Sequence, residues 1–436
     1  MQVSSFFGLQ TALRGITAQQ RALDVTSHNI ANASTDGYSR QEVAYAASSS
    51  LRLPSGTNSG GGAWLGQGVE IEQFRRLRDS FLDIQFRAQN TTAAYDETAA
   101  KGVRRALDEF NEPGEEGLNT LLERFWSSWN DLANSPSDVS VKTAVVGHAT
   151  TLVTALNGLD SRLSAVQANA TSEYATLTTG AQNPIQPIAD ELALLNGQIK
   201  SLTGAGQSPN ELLDRRDLLL DRLSEYGRVT VTDLGTGAIE VDFGDATNPL
   251  VSDGTVDWPQ ALTNPGGKLE ALLTVQANLT SYRADLDAFA ANLATTVNTA
   301  HTAGGGPAFF TGATAGAIAV NVTAATIDSG TGTTTGANDI ARAIAALSNG
   351  TADGLYATLV SRVGHDVSVA EATATSSDAL RNTIENRKLS VTGVSLDEEM
   401  TNMIRFQRAY QASSRTMSAM DEMLDILINR TGRVGL

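Results

Sequence analysis

The chain opens and closes with helical sequence whose apolar residues recur every seven positions. Leu9, Ile16, Leu23 and Ile30 form one series near the N-terminus, and Phe6 and Leu13 begin a second, three residues ahead of it. Near the C-terminus Leu396, Met403, Tyr410, Met417 and Leu424 form a third, with Phe406, Met420 and Leu427 three residues behind it. Alternating three- and four-residue spacing draws a narrow stripe, the pattern of a coiled-coil seam rather than of a broad core face. Gln20 and Ser27 interrupt the N-terminal stripe and Ser413 the C-terminal one. The ordinary alternative is a pair of internal bundle helices. The narrowness of the stripes, their place at the chain ends and their polar opposite faces favour mutual or external coiled-coil packing. These apolar positions are therefore the expected assembly interface.

Composition narrows the rest. The chain has 436 residues, 41 % of them hydrophobic, which is more than one compact domain usually holds. A net charge of −17 argues against nucleic acid, whose binding needs a basic patch. With no cysteine there is no disulfide and no thiolate metal site. No continuous apolar run reaches the roughly 18 residues of a membrane span. The opening MQVSSFFGLQTALRG lacks the basic region and apolar core of a secretory signal peptide. Ordinary rules would leave such a chain in the cytosol; a dedicated export route without cleavage escapes them.

The chain is expected to be mainly α with a β insert. A first helix spans about Ser4 to Ala33 and stops at the turn chemistry of Asn32, Ser34, Asp36 and Gly37. Residues 38–73 read as an extended segment with a few short strands, and helix returns from Phe74 to Phe110. Leu118, Leu121, Leu122, Phe125, Trp129 and Leu132 share a helical face. Val145, Ala149, Leu152, Leu156, Leu159, Leu163 and Val166 make another, and Ile188 to Leu202 a third. NELLDRRDLLLDRLSEY reads as a helix capped by Asn210. These are rod-like helices built to pack side by side. At Arg228 the period changes to two, with Val229, Val231, Ile239, Val241 and Phe243 alternating around a turn at Gly235–Gly237. Helix resumes from Lys268 to about His301. A Gly/Thr-rich stretch alternates at Ile318, Val320 and Val322, and helix then runs from Asp339 to the C-terminus with a break at Val391–Val394. Ser395 with Glu398 fits a capping box.

The outline is nested. Residues 1–37 and 394–436 form a terminal coiled-coil domain, residues 38–227, 266–303 and 338–393 a long-helix rod, and residues 228–265 and 304–337 a small β-rich outer insert.

Candidate chemistry is sparse. His28, His148, His301 and His365 have no metal-ligand spacing and read as ordinary polar positions. The Gly60–Gly61–Gly62 to Gly68 run lacks the Lys-Ser/Thr of a phosphate loop, so a loop and a tight turn before Val69 are expected. Asp242, Asp245, Asp253 and Asp257 do not follow an EF-hand and read as solvated turns. No catalytic, cofactor-binding or metal residue is expected, and no cofactor.

SSFFGLQTALRGITAQQRALDVTSHNIANASTDGYSRQ, centred on Asn29-Ile30-Ala31-Asn32, resembles the N-terminal signature of the bacterial flagellar axial proteins, the rod, hook and hook-associated proteins. GVSLDEEMTNMIRFQRAYQASSRTMSAMDEMLDILIN resembles the matching C-terminal signature. Gly37-Tyr38-Ser39-Arg40-Gln41 is similar to the hook-associated branch, since rod and hook proteins tend to a Gly-Phe-Lys type of sequence there. GQGVEIEQFRRLRDSFLDIQFRAQN, the Phe125–Pro136 region, NELLDRRDLLLDRLS and Gly266-Gly267-Lys268-Leu269 resemble that branch too, so the likeness covers about half the chain. The chain is short for the family, which implies a reduced outer domain. The resemblance implies a structural, non-enzymatic flagellar component, a ring of subunits joining hook to filament at the distal end of the hook. It implies self-assembly and contact with hook protein and a second junction protein. It also implies type III export without a cleaved signal peptide, and a cytoplasmic chaperone on the C-terminal helix. The terminal helices are then expected to fold on assembly. A hook or distal rod protein is the rival within the class. An axial protein with an enzymatic insert, or a cytoplasmic coiled-coil adaptor, is the rival outside it.

Overall fold

The computed structural model describes residues 7–53, 63–332 and 336–430; Phe6, the Gly60–Gly62 run and the side chain of Leu427 lie outside the described residues. Helix α1 (Phe7–Ala31) leads into strands β1 (Gln41–Ala47), β2 (Leu51–Leu53), β3 (Ala63–Leu65) and β4 (Val69–Arg76). Helices α2 (Ser80–Phe110), α3 (Leu118–Asn134), α4 (Val139–Thr178), α5 (Ile185–Gly204) and α6 (Asn210–Tyr226) follow. Strands β5 (Val229–Asp233), β6 (Ile239–Phe243), β7 (Val251–Ser252) and β8 (Thr255–Val256) precede α7 (Gly267–His301). Strands β9 (Phe310–Thr311) and β10 (Ala319–Val320) come before α8 (Asp339–Ala345), α9 (Thr351–Thr392) and α10 (Leu396–Asp425). The fold is mainly α with small sheets.

The rod is built from α2, α3, α4, α7 and α9, with α2 lying along α9 and α7, and α3 along α4. Its core gathers the apolar faces legible in the sequence. Phe125, Trp129, Leu132, Leu152, Leu156, Leu163, Leu286 and Phe289 are all fully buried in it. Asp79 and Asp138 start α2 and α4 by accepting Phe81 N at 2.9 Å and Ser140 N at 2.7 Å, the usual N-cap bond. By length and composition α4 could cross a membrane, although its apolar residues form no continuous run. Its apolar face, Val145 to Leu163, is instead covered by α3 and α7. A second, smaller core joins α5 and α6 to an antiparallel sheet of order β5-β6-β7-β8, with Ile239, Val241 and Phe243 pointing inward.

Several expectations change. Helix does not begin at Phe74, because β4 continues to Arg76 through pairing with β1, Gln41 opposite Arg76. Asn210 does not cap α6; its amide donates to Gln41 Oε1 at 3.1 Å and Phe74 O at 3.0 Å, tying the helix to the strands. Ser395 receives Glu398 N at 3.5 Å, but the Glu398 carboxylate is taken by Arg40 rather than closing the box. The two β segments do not form one insert. Residues 228–265 belong to the smaller core, whereas Phe309, Phe310, Ile318 and Val322 pack into the rod core, because two-residue strands cannot cover that much apolar surface. Of the acidic positions, Asp245, Asp253 and Asp257 are exposed, Asp245 accepting Thr263 N, Thr263 Oγ1 and Asn264 N, whereas Asp242 is not in a turn but half-buried on β6 opposite Thr230.

His301 is not an ordinary polar position. It is completely buried, against the rings of Trp129 and Phe309. Its Nδ1 donates to Pro307 O at 2.8 Å and its Nε2 accepts Asp328 N at 3.0 Å, so the ring is neutral and its tautomer fixed. Burial lowers its pKa below the ordinary 6.5, against smaller opposing effects of Pro307 O and Asp328. Below about pH 6.5 the unfolded chain binds a proton that the folded chain refuses, so stability declines as pH falls, by at most about 1.4 kcal/mol per unit, until the folded pKa is reached. Thermal melts from pH 7.5 to 5 should show wild type losing more stability than His301→Gln; parallel curves would rule this out.

Candidate assembly interface

Helices α1 and α10 lie antiparallel in one register. A Cβ added to Gly8 would stand 2.9 Å from Met420 Cε, and one added to Gly15 would stand 3.3 Å from Ser413 Oγ. Seven-residue steps continue this line, and Asn29 bonds Glu399 at 3.1 Å. The same register sets Ala22, 1 % exposed, opposite Phe406. The inner face of α1 is thus a row of small residues, Gly8, Gly15, Ala22 and Asn29, flanked by buried Ala12, Ala18 and Thr26. Leu9, Ile16, Leu23 and Ile30 sit one position further on and are half-buried. The Leu13 series turns outward: Leu13 is 51 % exposed, and Gln20 and Ser27 are exposed with it. The small residues of α1 make room for the α10 side chains opposite them, Met420 at Gly8 and Ser413 at Gly15, so the leucine stripe borders the contact. On α10, Met403, Phe406, Met417, Met420 and Leu424 are half-buried, whereas Leu396 and Tyr410 are exposed. Met400, Ile404, Met423, Ile426 and Ile428 add an outward apolar surface.

The pair is fastened at one end by a polar knot. Asn29 is buried, and its amide is filled on every side. Its Nδ2 donates to Gln41 O at 2.9 Å and to Glu399, and its Oδ1 accepts Tyr38 OH at 2.7 Å and Gln41 N at 3.0 Å. Arg40 spans the same point, with Nε on Glu399 and Nη1 on Glu398, both at 2.7 Å, and its backbone N on Thr392 O at 2.8 Å. Tyr38 keeps its phenol proton: burial raises its pKa, and Asp214, Glu211 and Glu399 raise it further. His28 Nδ1 lies 3.0 Å from the same hydroxyl. Asn32 closes the turn after α1 through Nδ2 on His28 O at 3.0 Å, Ile30 is half-buried, and Ala31 is exposed. Gly37 has φ +76°, and a Cβ there would meet Leu218 at 3.0 Å, so glycine is required where the loop crosses α6.

Beneath the knot lies a charge cluster joining β4, α2, α6 and α9. Arg76 Nη1 bonds Asp214 and Asp217, each at 2.9 Å, and Arg78 grips Asp83 at 2.6 and 3.0 Å. Arg87 bonds Asp221 at 2.8 Å, and Lys388 pairs with Asp221 and, at 3.5 Å, with Asp83. None of these four cations and four carboxylates exceeds 15 % side-chain exposure. Burial raises the pKa of Asp217, but Arg78, Arg76 and Arg87 together outweigh it and hold the carboxyl below its usual range. Asp214 Oδ2 also takes Ser39 N at 3.1 Å, so the cluster holds the signature segment directly. The spacing of Asp214, Asp217 and Asp221, on one face of α6, was the available sequence signal for it.

Three family models match the chain. The flagellar hook-associated protein FlgK helical domain covers residues 105–258. The flagella basal body rod protein model covers residues 9–38, and the flagellar basal body rod FlgEFG protein C-terminal model covers residues 386–430. Flagellar hook-associated protein 1 of Bacillus subtilis is 31 % identical to the chain, across 98 % of the chain and 99 % of that protein. Flagellar hook-associated protein 1 of Escherichia coli is 29 % identical, across 68 % of the chain and 57 % of that protein. Among solved structures, the flagellar hook junction protein FlgK from Burkholderia pseudomallei aligns with 52 % of the chain and 46 % of its own at a TM-score of 0.46 and 24 % identity.

Asn29→Ala should free the terminal pair without melting the rod. It leaves Gln41 N, Tyr38 OH and Glu399 short of a partner, a loss of about 2–4 kcal/mol at this point. Hydrogen exchange should quicken across 7–31 and 396–425 and stay unchanged in α3, α4 and α7. Equal quickening everywhere would mean that the knot supports the whole fold.

Proposed function

The chain belongs to the flagellar hook-associated protein 1 family, and from that premise we propose that it joins the hook to the filament as a ring of subunits at the distal end of the hook. It is a component of the flagellum and assembles with other flagellar proteins. The observation that carries the finer reading is the terminal pair. The α1 side of its inner seam is made of small residues, so large apolar side chains such as Leu13, Ile404 and Met423 stay outside for neighbours. Those neighbours are copies of the chain itself, the hook protein on one side and the second hook–filament junction protein on the other. Residues 1–37 and 394–436 act as the terminal domain, and the helical rod with the 228–265 sheet stands outside it.

The protein reaches this place by flagellar type III export, its C-terminal helix held by a cytoplasmic chaperone until then. Outward Met400, Ile404 and Met423 on α10 suit such a helper. It carries no catalysis. The hook or rod reading shares the terminal matches, but the helical-domain match at residues 105–258 favours the hook-associated branch.

Leu13→Asp and Ile404→Asp each alter an exposed residue, so the melting curve of the isolated protein should stay within about 0.5 kcal/mol of wild type. Both should block incorporation, seen as protein in the medium and absent from purified hook–basal bodies. Normal incorporation would place the assembly surface elsewhere.

Deleting the protein tests the junction directly. Electron microscopy should find hooks without filaments, and flagellin should accumulate in the medium. Filaments still attached would sink this reading, and cells without hooks would point to the rod or hook rival.

A further inference from the structure

The buried charge cluster pairs four cations with four carboxylates, and a fifth buried cation, Arg216, stands outside the pairing. It lies on α6 between Asp214 and Asp217 and is 9 % exposed. Its Nη1 donates to Gly237 O at 2.7 Å, while its Nε is buried with no partner. No carboxylate reaches ion-pair distance of it among the described residues. Asp217 and Asp233 attract it from further off, and Arg76 and Arg87 repel it. Asp233 is occupied in its own turn, accepting Gly235 N at 2.8 Å, and the nearby Arg75 is paired with Glu42. A buried cation without a counter-charge costs several kcal/mol, which a fold normally avoids by supplying one.

Arg216 lines a cleft of about 420 Å³ between β4, the α5–α6 turn and the β5–β6 turn. Thr203, Gln207 and Ser208 also line it, and among the described residues none of their side chains makes a hydrogen bond. We propose that this cleft is an oxyanion site, in which Arg216 supplies the charge and Gln207 and Ser208 donate hydrogen bonds to a carboxylate or phosphate oxygen. Two sources offer that chemistry. One is an acidic side chain of a neighbouring subunit, which rests on the assembly reading above; with 48 Asp and Glu, a second copy has many to offer. The other is a free anion, which does not depend on that reading.

The test uses the full chain and inorganic phosphate or acetate, with chloride at matched ionic strength as the control. Wild type should show a saturable rise in Tm, about 2 °C at tenfold excess over the dissociation constant. Arg216→Met should show none, and its starting Tm should equal or exceed that of wild type, because an uncompensated buried charge has been removed. Arg216→Lys, which keeps the charge but loses the planar fork, should retain a weaker rise. An equal rise in Arg216→Met, no rise in wild type with either anion, or a marked drop in the starting Tm of Arg216→Met would each overturn the site. Cells carrying Arg216→Met separate the sources. Fewer attached filaments identify a subunit carboxylate, and normal filaments identify the free anion.

Discussion

Asn29 sets the register of the terminal pair, and the pair sets what the protein offers its neighbours. The stripes on α1 and α10 repeat every seven residues, so apolar packing alone would tolerate a slip of seven. A slip would move Glu399 from Asn29 and leave one Asn29 N–H and the buried Glu399 carboxylate each short of a partner. An unsatisfied buried group costs about 1–3 kcal/mol, and more when charged. This is the way a single polar residue at a seam position fixes alignment in a coiled coil, at some cost in stability. Here the same amide also holds the start of β1, through both backbone groups of Gln41. Three segments distant in sequence must be in place before Asn29 is satisfied, and that makes the joint all-or-none.

The charge cluster beneath it follows a different logic from the rod core. Buried ion pairs seldom add stability over apolar packing of the same volume, because desolvation offsets the Coulomb gain. What they add is selectivity. Arg76 at the end of β4 and Arg78 just beyond it meet Asp214 and Asp217, which share one face of α6 with Asp221, the partner of Arg87 and Lys388, so only one placement of strand end, α2, α6 and α9 satisfies the set. Lys388 brings the end of α9 into the same arrangement, four residues before Thr392, whose carbonyl accepts the backbone N–H of Arg40. The rod is thereby fixed to the point at which the terminal pair begins, and force on the terminal helices passes into α2, α6 and α9 through directional contacts.

Much of this was legible in the sequence, because period reports directly on burial. The faces led by Leu121, Leu152 and Leu279 are buried as their spacing required. The alternation at Ile239, Val241 and Phe243 became a strand. Ile318 and Val322 alternated as well, yet they joined the rod core, since alternation says which side is buried and not what covers it. Phe74 to Arg76 reads as helix because its strand identity comes from β1, some thirty residues earlier. The seam of α1 was read one position away from its true line. Leucines dominate a periodicity search, whereas Gly8, Gly15, Ala22 and Asn29 carry no hydrophobic signal. Asn29, Tyr38 and Arg40 were visible as a signature, but the contact that gives them a role, Glu399, lies at the other end of the chain. His301 looked like one polar residue among four; only the fold could show it locked between Pro307 O and Asp328 N.

Close packing inside the terminal pair and apolar exposure outside it are two aspects of one choice. A leucine seam would have buried its large residues between the two helices and left a polar exterior, which is a self-sufficient hairpin. On α1 a line of glycine, alanine and asparagine only receives side chains from α10 and gains little apolar burial of its own; the buried apolar residues of α1 are Ala12, Ala18 and Ala22. The rod, by contrast, buries Trp126, Trp129, Phe125, Phe289 and Tyr356 in its own core. Burial of apolar surface contributes about 25 cal/mol per Å², so the pair has much to gain from neighbours and the rod little. Stability is thus divided along the chain. The rod holds a closed core of its own, whereas the terminal helices, held in register by Asn29, keep large apolar side chains exposed. Such a division suits a chain that assembles with other flagellar proteins, since its core is complete within the chain and its open apolar surface is gathered on the terminal pair.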